Sequence, residues 1–374
     1  MFPLPIRYFL GIFALWPGNN NNFLFYFFTL LSIISLTSQF WHVTIVYDNL
    51  ELLSMNISNI VMILTSFLKI AILWKKRRYV KDVLIEMIDD LCQIKKHEEL
   101  IVMKNHVKFS RTFSINAFII YNFTIIMFIF TPLQTYYFGK SVENRFFPLL
   151  AKFPFSYKFS PVYEIIYFLQ AIFLLLVASI YSISDSSYAA MVLHAATKLE
   201  IIRFELDNFF NKALKSEKKL SIKVLIEKHY KAIQFAKRVD DIFSGQLFLY
   251  FILLTLQFCF NGFIYLTTLS DNKSINMLLK DTFVSMSALV ELGIYCLLGE
   301  YLLSKCFLIA ECAYFIPWYE LQCSDAKIIM MFIKRAQKPL TITAGKFITV
   351  SHFTFVNVLK TSLSYLSVLR AARN

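Results

Sequence analysis

The amino-acid sequence predicts an all-α membrane protein: seven transmembrane helices, N-terminus cytosolic, C-terminus extracellular, with a cytosolic helical anchor layer. Three observations predict it: composition, the length of the apolar runs, and the distribution of basic residues. Of 374 residues, 57% are hydrophobic and only 17% charged, and 17% are aromatic, including 40 Phe and 20 Tyr. An average soluble domain is about 45–50% apolar and about 25% charged. So few charges cannot coat a soluble globule, and the chain is too apolar for disorder. A water-soluble two-domain enzyme is thereby disfavoured. Only 8 Gly and 9 Pro are present, which argues against linker-rich and β-repeat architectures.

Crossing the hydrocarbon takes about 20 mostly apolar residues in a helix. Seven runs qualify: Phe23–Tyr47, Ile57–Leu73, Phe113–Leu133, Val162–Ser184, Leu247–Leu269, Thr282–Ser304 and Phe347–Leu369. They do not alternate as β-barrel strands do, and they are about twice the length of such strands. The stretch Met1–Leu15 is apolar but carries Arg7 and no small-residue cleavage site. It reads as an interfacial lead-in, not a cleavable signal.

The organisation follows. Residues 1–184 hold the lead and the first four spans, and 185–246 form a cytosolic helical extension. Residues 247–304 hold spans five and six, 305–346 an anchor segment with a short helix, and 347–374 the seventh span with a short extracellular tail. In the extension, Met191, Ala195, Leu199, Ile202, Leu206 and Phe210 keep helical spacing, as do Val224, Ile226, Tyr230, Ile233 and Val239. Asp325–Gln337 reads as a short amphipathic helix that Pro339 ends.

Orientation rests on Lys and Arg. The N-terminus and the even-numbered connections carry 28 of the 38 basic residues, and the opposite side carries 8. The N-terminus is therefore expected in the cytosol, opposite to a G-protein-coupled receptor. The +13 charge is spread over several loops, and a nucleic-acid partner is not expected. None of the six cysteines falls in an outer connection, which agrees with reduced thiols, and no Cys/His spacing suggests a metal site. No cofactor is expected. The sequons at Asn56 and Asn272 fall on the expected outer side, and Asn122 lies mid-span.

The C-terminal tenth carries the most specific pattern. It reads Lys338-Pro339-Leu340-Thr341-Ile342-Thr343-Ala344-Gly345-Lys346-Phe347, then Phe353-Thr354-Phe355-Val356-Asn357-Val358-Leu359-Lys360, and closes with Ser364-Tyr365-Leu366-Ser367-Val368-Leu369-Arg370. Before it stand Ala313-Tyr314, Pro317-Trp318-Tyr319 and Arg335-Ala336-Gln337. Together these resemble the C-terminal signature of insect odorant receptors, at residue level from about Gly299 onward and in architecture over the whole chain. The likeness is to a tuning subunit, since the shared co-receptor, Orco, has a longer fourth connection. A gustatory-type channel of the same superfamily is the alternative, but its usual Gln-Phe ending is replaced here by Leu369-Arg370.

The resemblance implies a ligand-gated, non-selective cation channel, a heterotetramer with Orco in the plasma membrane of olfactory dendrites. It also implies a central pore lined by the seventh span and a pocket for small volatile odorants in the outer half of the bundle, in contact with membrane lipid. The seventh span is the least apolar one. Thr361, Ser364 or Tyr365, Val368 and Ala372 share a face, and Val368 matches the family's gate valine. Such a face suits water or neighbouring helices better than lipid.

A site for odorants needs apolar and aromatic walls with a few polar groups. The expected outer-half faces are Ser58, Met62 and Thr65; Tyr121, Ile125 and Phe128; Tyr163, Tyr167 and Ala171; Phe258, Gly262 and Tyr265; and Phe283, Met286 and Ser287. They contain no acid, which argues against an amine ligand. Glu291 and Lys360 sit near mid-span and are expected to be structural. Lys69 is expected to snorkel from the inner end of its span.

Overall fold

In hydrocarbon a helix satisfies its own backbone hydrogen bonds, so apolar runs of this length fold as helices. The structure is a computed structural model that describes residues 4–19, 22–93, 97–138, 147–155, 157, 159–213, 222–270, 275–315 and 323–373. In chain order the elements are α1 (Leu4–Ile12), α2 (Phe23–Val46), α3 (Leu50–Lys75), α4 (Arg77–Gln93), α5 (His97–Phe138) and α6 (Val162–Ala213). Then follow α7 (Ile222–Ser270), α8 (Ile275–Tyr314), α9 (Cys323–Ala336), β1 (Thr343–Ala344), β2 (Ile348–Thr349) and α10 (His352–Arg373).

Six helices, α2, α3 and α5 to α8, are long and apolar enough to cross a membrane. Helix α10 is less apolar, yet its 22 residues reach about 33 Å at about 1.5 Å each, enough for the hydrocarbon core. Helices α6 and α7, of 52 and 49 residues, are far longer than one crossing needs. Their excess continues as the helical layer expected from the periodicity of the fourth connection, and α9 is the short amphipathic helix. Helix α3 packs on α7, α6 packs between α5 and α8, and α10 lies against α7 and α8.

The layer is held by charge as well as by packing. Lys198 of α6 reaches Glu86 at 2.8 Å and Asp90 at 2.7 Å on α4, and His194 reaches Asp90 at 2.8 Å. Burial opposes ionisation of Asp90, but hydrogen bonds from His194 and Lys198 outweigh it and hold the carboxyl below its ordinary range.

Three expectations are corrected. The seventh helix begins at His352, not Phe347, because residues 343–349 form a two-stranded hairpin, with Thr343 opposite Thr349 and Ala344 opposite Ile348. Gly345 and Lys346 both take left-handed conformations at its tip. The hairpin docks on α7: Asp240 accepts from the Thr343 backbone N–H at 2.7 Å, and the Ser244 carbonyl accepts from the Gly345 N–H at 2.9 Å. The chain then passes so near α8 that a Cβ on Gly299 would lie 2.3 Å from the Val350 carbonyl oxygen.

Second, α3 begins at Leu50, where the Asn49 side chain accepts from Glu51 and Leu52 N–H groups at 3.1 Å, a cap of the usual kind. Asn56 therefore lies inside a helix, fully buried, and its amide donates to the Gln39 carbonyl at 3.1 Å and contacts His42 Nδ1 at 3.0 Å. The folded chain cannot present it to a glycosyltransferase. The Asn272 sequon and Pro317-Trp318-Tyr319 lie outside the described residues.

Third, Lys69 does not snorkel. It is 1% exposed at the centre of the bundle.

Candidate functional site

An ammonium buried in the membrane is costly unless paired, and Lys69 is paired on every side. Its Nζ donates to Asp185 of α6 at 2.8 Å, to Glu291 of α8, and to the Tyr295 hydroxyl at 3.3 Å. Tyr295 donates in turn to Asp185 at 2.5 Å, and Tyr121 of α5 donates to the other Asp185 oxygen. The rings of Tyr181 and Tyr250 stand 4.4 and 4.9 Å from Nζ, close enough for cation–π attraction. The cluster thus ties α3, α5, α6, α7 and α8 together at one level.

Two cavities lie near it in the bundle, the first sharing Tyr121, Tyr181, Tyr250 and Glu291 with the cluster and the second lying beyond the first. The smaller, about 70 Å³, has Glu291 in its wall with Tyr121, Tyr181, Tyr250, Ile125, Ala288 and other mostly apolar residues. The larger, about 150 Å³, is bounded by Ser58, Asn59, Phe128, Phe147, Asn261, Asp281 and neighbours. Met62, Gln257 and Val284 border both, so the two adjoin.

Of the residues expected at a ligand site, Met62, Thr65, Tyr121, Ile125 and Ser287 line the smaller cavity, and Ser58, Met62 and Phe128 line the larger. Tyr163 and Tyr167 do not line either. They pack with Phe147 in a separate cluster behind its wall. Ala171 lines neither cavity. Phe258 packs partly buried on the core. Gly262 is covered by Leu366 of α10, whose methyl would stand 2.9 Å from a Cβ there. Tyr265, Phe283 and Met286 are 41%, 37% and 58% exposed on the outside of the bundle. An aromatic stripe marks apolar surroundings, and lipid supplies those as well as a core does.

Asp185, Tyr181, Tyr250, Gln257 and Asn261 escaped the sequence reading. The available signal was a polar residue recurring within an apolar run, as Gln257 and Asn261 do at i, i+4. The faces expected from the sequence contain no acid, whereas Glu291 and Asp281 border the two cavities.

On α10, Thr354, Val358 and Ser362 are buried against the bundle, whereas Thr361, Ser364, Tyr365 and Val368 are exposed, Val368 at 65%. Lys360 is exposed beside them. The Ala372 side chain lies outside the described residues. The face expected to line a pore is thus turned away from its own chain.

A family model described as 7tm Odorant receptor matches residues 49–363. Odorant receptor 13a of Drosophila melanogaster is 28% identical over 265 residues, 66% of this chain and 63% of that one. The odorant receptor coreceptor of Anopheles gambiae is 25% identical over 149 residues, 40% of this chain and 30% of its own length. The match therefore spans less than two thirds of these relatives. The olfactory receptor OR5 from Machilis hrabei superposes with a TM-score of 0.80 at 17% identity, covering 97% of this chain and 96% of that one. The same receptor in complex with eugenol gives 0.77 at 16% identity, covering 92% and 89%.

Proposed function

The chain belongs to the insect odorant receptor family, and from that premise we propose that it is the ligand-binding subunit of an odorant-gated, non-selective cation channel. The two adjoining cavities would hold a small, mostly apolar volatile molecule, as their walls suit such a ligand. The exposed face of α10, with Thr361, Ser364 and Val368, would line the ion path, and Val368 would form a hydrophobic constriction. Contact between Gly262 on α7 and Leu366 on α10 is a mechanical link from the cavity helices to that face.

The observation that carries this reading is a mostly apolar cavity bordered by α7 together with an exposed polar face on α10, the helix that packs on α7. The coreceptor's similarity to this chain supports a heterotetramer with Orco subunits in the plasma membrane of olfactory dendrites, and the OR5 complex with eugenol supports a small-molecule ligand. The test is to express the chain with and without coreceptor and record currents against an odorant panel. Ligand-evoked cation current that Val368→Ala alters in gating or selectivity is expected. Absence of any evoked current, or a Val368→Ala channel identical to the parent, would contradict the reading.

A further inference from the structure

We propose that the junction between α3 and α4 binds the headgroup of an inner-leaflet phosphoinositide through Lys75, Arg77 and Arg78. The run Lys75-Lys76-Arg77-Arg78 stands at the cytosolic end of the α3 span. Orientation does not account for it: with these four set aside, the cytosolic side still holds 24 of the 28 basic residues counted there, against 8 outside. Four basic residues immediately cytosolic of a span are what an anionic lipid surface attracts.

The four residues divide by what they already hold. Lys76 is committed to the protein. Its Nζ donates to the backbone carbonyls of Asp241 and Ile242 on α7, the latter at 3.3 Å, and its backbone N–H donates to the Ile72 carbonyl at 3.0 Å. Those bonds fix the junction on α7. The other three remain open to a ligand. Lys75 and Arg78 are exposed and Arg77 is half-buried. None of the three makes a side-chain ion pair or hydrogen bond among the described residues. Asp82 stands one turn beyond Arg78 and does not pair with it there.

Arg77 is also oriented. Its guanidinium lies 4.1 Å from the centre of the Trp74 ring, a cation–π contact. Trp74 is itself held: it stacks on Phe25 of α2 at 4.3 Å, and its Nε1 donates to Asn22 Oδ1 at 3.3 Å. A guanidinium laid on a ring keeps its planar fork of N–H donors for phosphate oxygens. The acyl chains have a surface too. Tyr26 meets Trp74 edge-on at 5.9 Å, and Phe23 and Phe27 stack at 6.1 Å beside it, all three exposed on the first turns of α2. Aromatic residues so placed sit at a bilayer interface. Three open cations within four residues exceed the single charge of phosphatidylserine and match a headgroup with several phosphates. A phosphate free in the cytosol gains nothing from the exposed rings, so the membrane is its source.

The test is the binding of a fluorescent short-chain phosphatidylinositol bisphosphate to the purified full-length protein in detergent, read as anisotropy. Each open basic residue is expected to contribute about fivefold, so Lys75→Gln/Arg78→Gln should weaken binding about 25-fold and Arg78→Gln alone about fivefold. Both side chains are exposed, so the variants should melt as the parent does. Lys104→Gln/Lys108→Gln removes the same charge from exposed positions on the cytosolic part of α5 and should weaken binding by less than about twofold, since screened charge away from the site acts weakly. Phosphatidylserine and soluble inositol trisphosphate should each compete less well than unlabelled phosphatidylinositol bisphosphate. Parent-like binding by Lys75→Gln/Arg78→Gln, or equal losses in the two double variants, would overturn the site. Equal competition by phosphatidylserine would overturn the headgroup, and equal competition by inositol trisphosphate would overturn the membrane source.

Discussion

Two lysines sit within the spans on different helices and meet opposite surroundings. Lys69 of α3 is 1% exposed and ringed by two carboxylates and three tyrosines, whereas Lys360 of α10 lies on an exposed face. The same chemistry thus has two solutions. One charge is neutralised within its own chain and locks five helices together. The other is exposed, which the proposed place of α10 beside an aqueous path would accommodate. The contrast separates a charge that is paired within one chain from a charge that is exposed on its surface.

The largest break in that contrast is expected from Lys69→Met. Removing one member of a buried ion cluster leaves uncompensated charge at a cost of about 3–5 kcal/mol, so folded protein at the cell surface should fall sharply. Lys360→Met should leave surface expression near that of the parent. Equal surface levels for the two variants would erase the distinction.

The next effect is expected where α8 meets the hairpin. Gly299→Ala forces a methyl toward the Val350 carbonyl, 2.3 Å away, and overpacking of this kind costs about 1–3 kcal/mol. Thermal stability of the purified protein should drop, while the cavities are untouched and ligand preference is preserved. A smaller and more specific effect is expected from Gly262→Val, which pushes on Leu366. It should weaken coupling between ligand and current more than it weakens ligand binding, seen as a lower maximal current at saturating ligand. The smallest is at Asn56. The glycan-removing enzyme should produce no mobility shift attributable to it, and Asn56→Gln should migrate as the parent does.

Much of the scaffold was legible in the sequence, because apolar runs of span length and the sorting of basic residues report directly on the membrane. The Thr343–Phe347 stretch showed its family but not its shape, since a hairpin stapled to Asp240 and Ser244 depends on contacts about a hundred residues away. The ion cluster was half legible. Glu291 stood out as an acid in an apolar run. Asp185 was hidden at the edge of an apolar run that continues as one helix, and Lys69 was misplaced because a lysine near a span end ordinarily snorkels. The cavity walls were legible on α3 and α5, where buried polar and aromatic positions coincide, and on α8 at Ser287 alone. On α8, Phe283 and Met286 share their apolar character with the lipid-facing surface, and no sequence signal separates the two.

The central claim is that the face of α10 bearing Ser364 and Val368 borders the ion path and the face bearing Ser362 does not. It is tested most directly by applying a charged, membrane-impermeant thiol reagent from outside during ligand-evoked current. Of the native cysteines, Cys259 and Cys296 are buried, and the other four are expected on the cytosolic side. Ser364→Cys should lose current on exposure to the reagent, faster with ligand present, while Ser362→Cys should be unaffected. Modification of both at similar rates, or no modification of Ser364→Cys in the open state, would contradict the account.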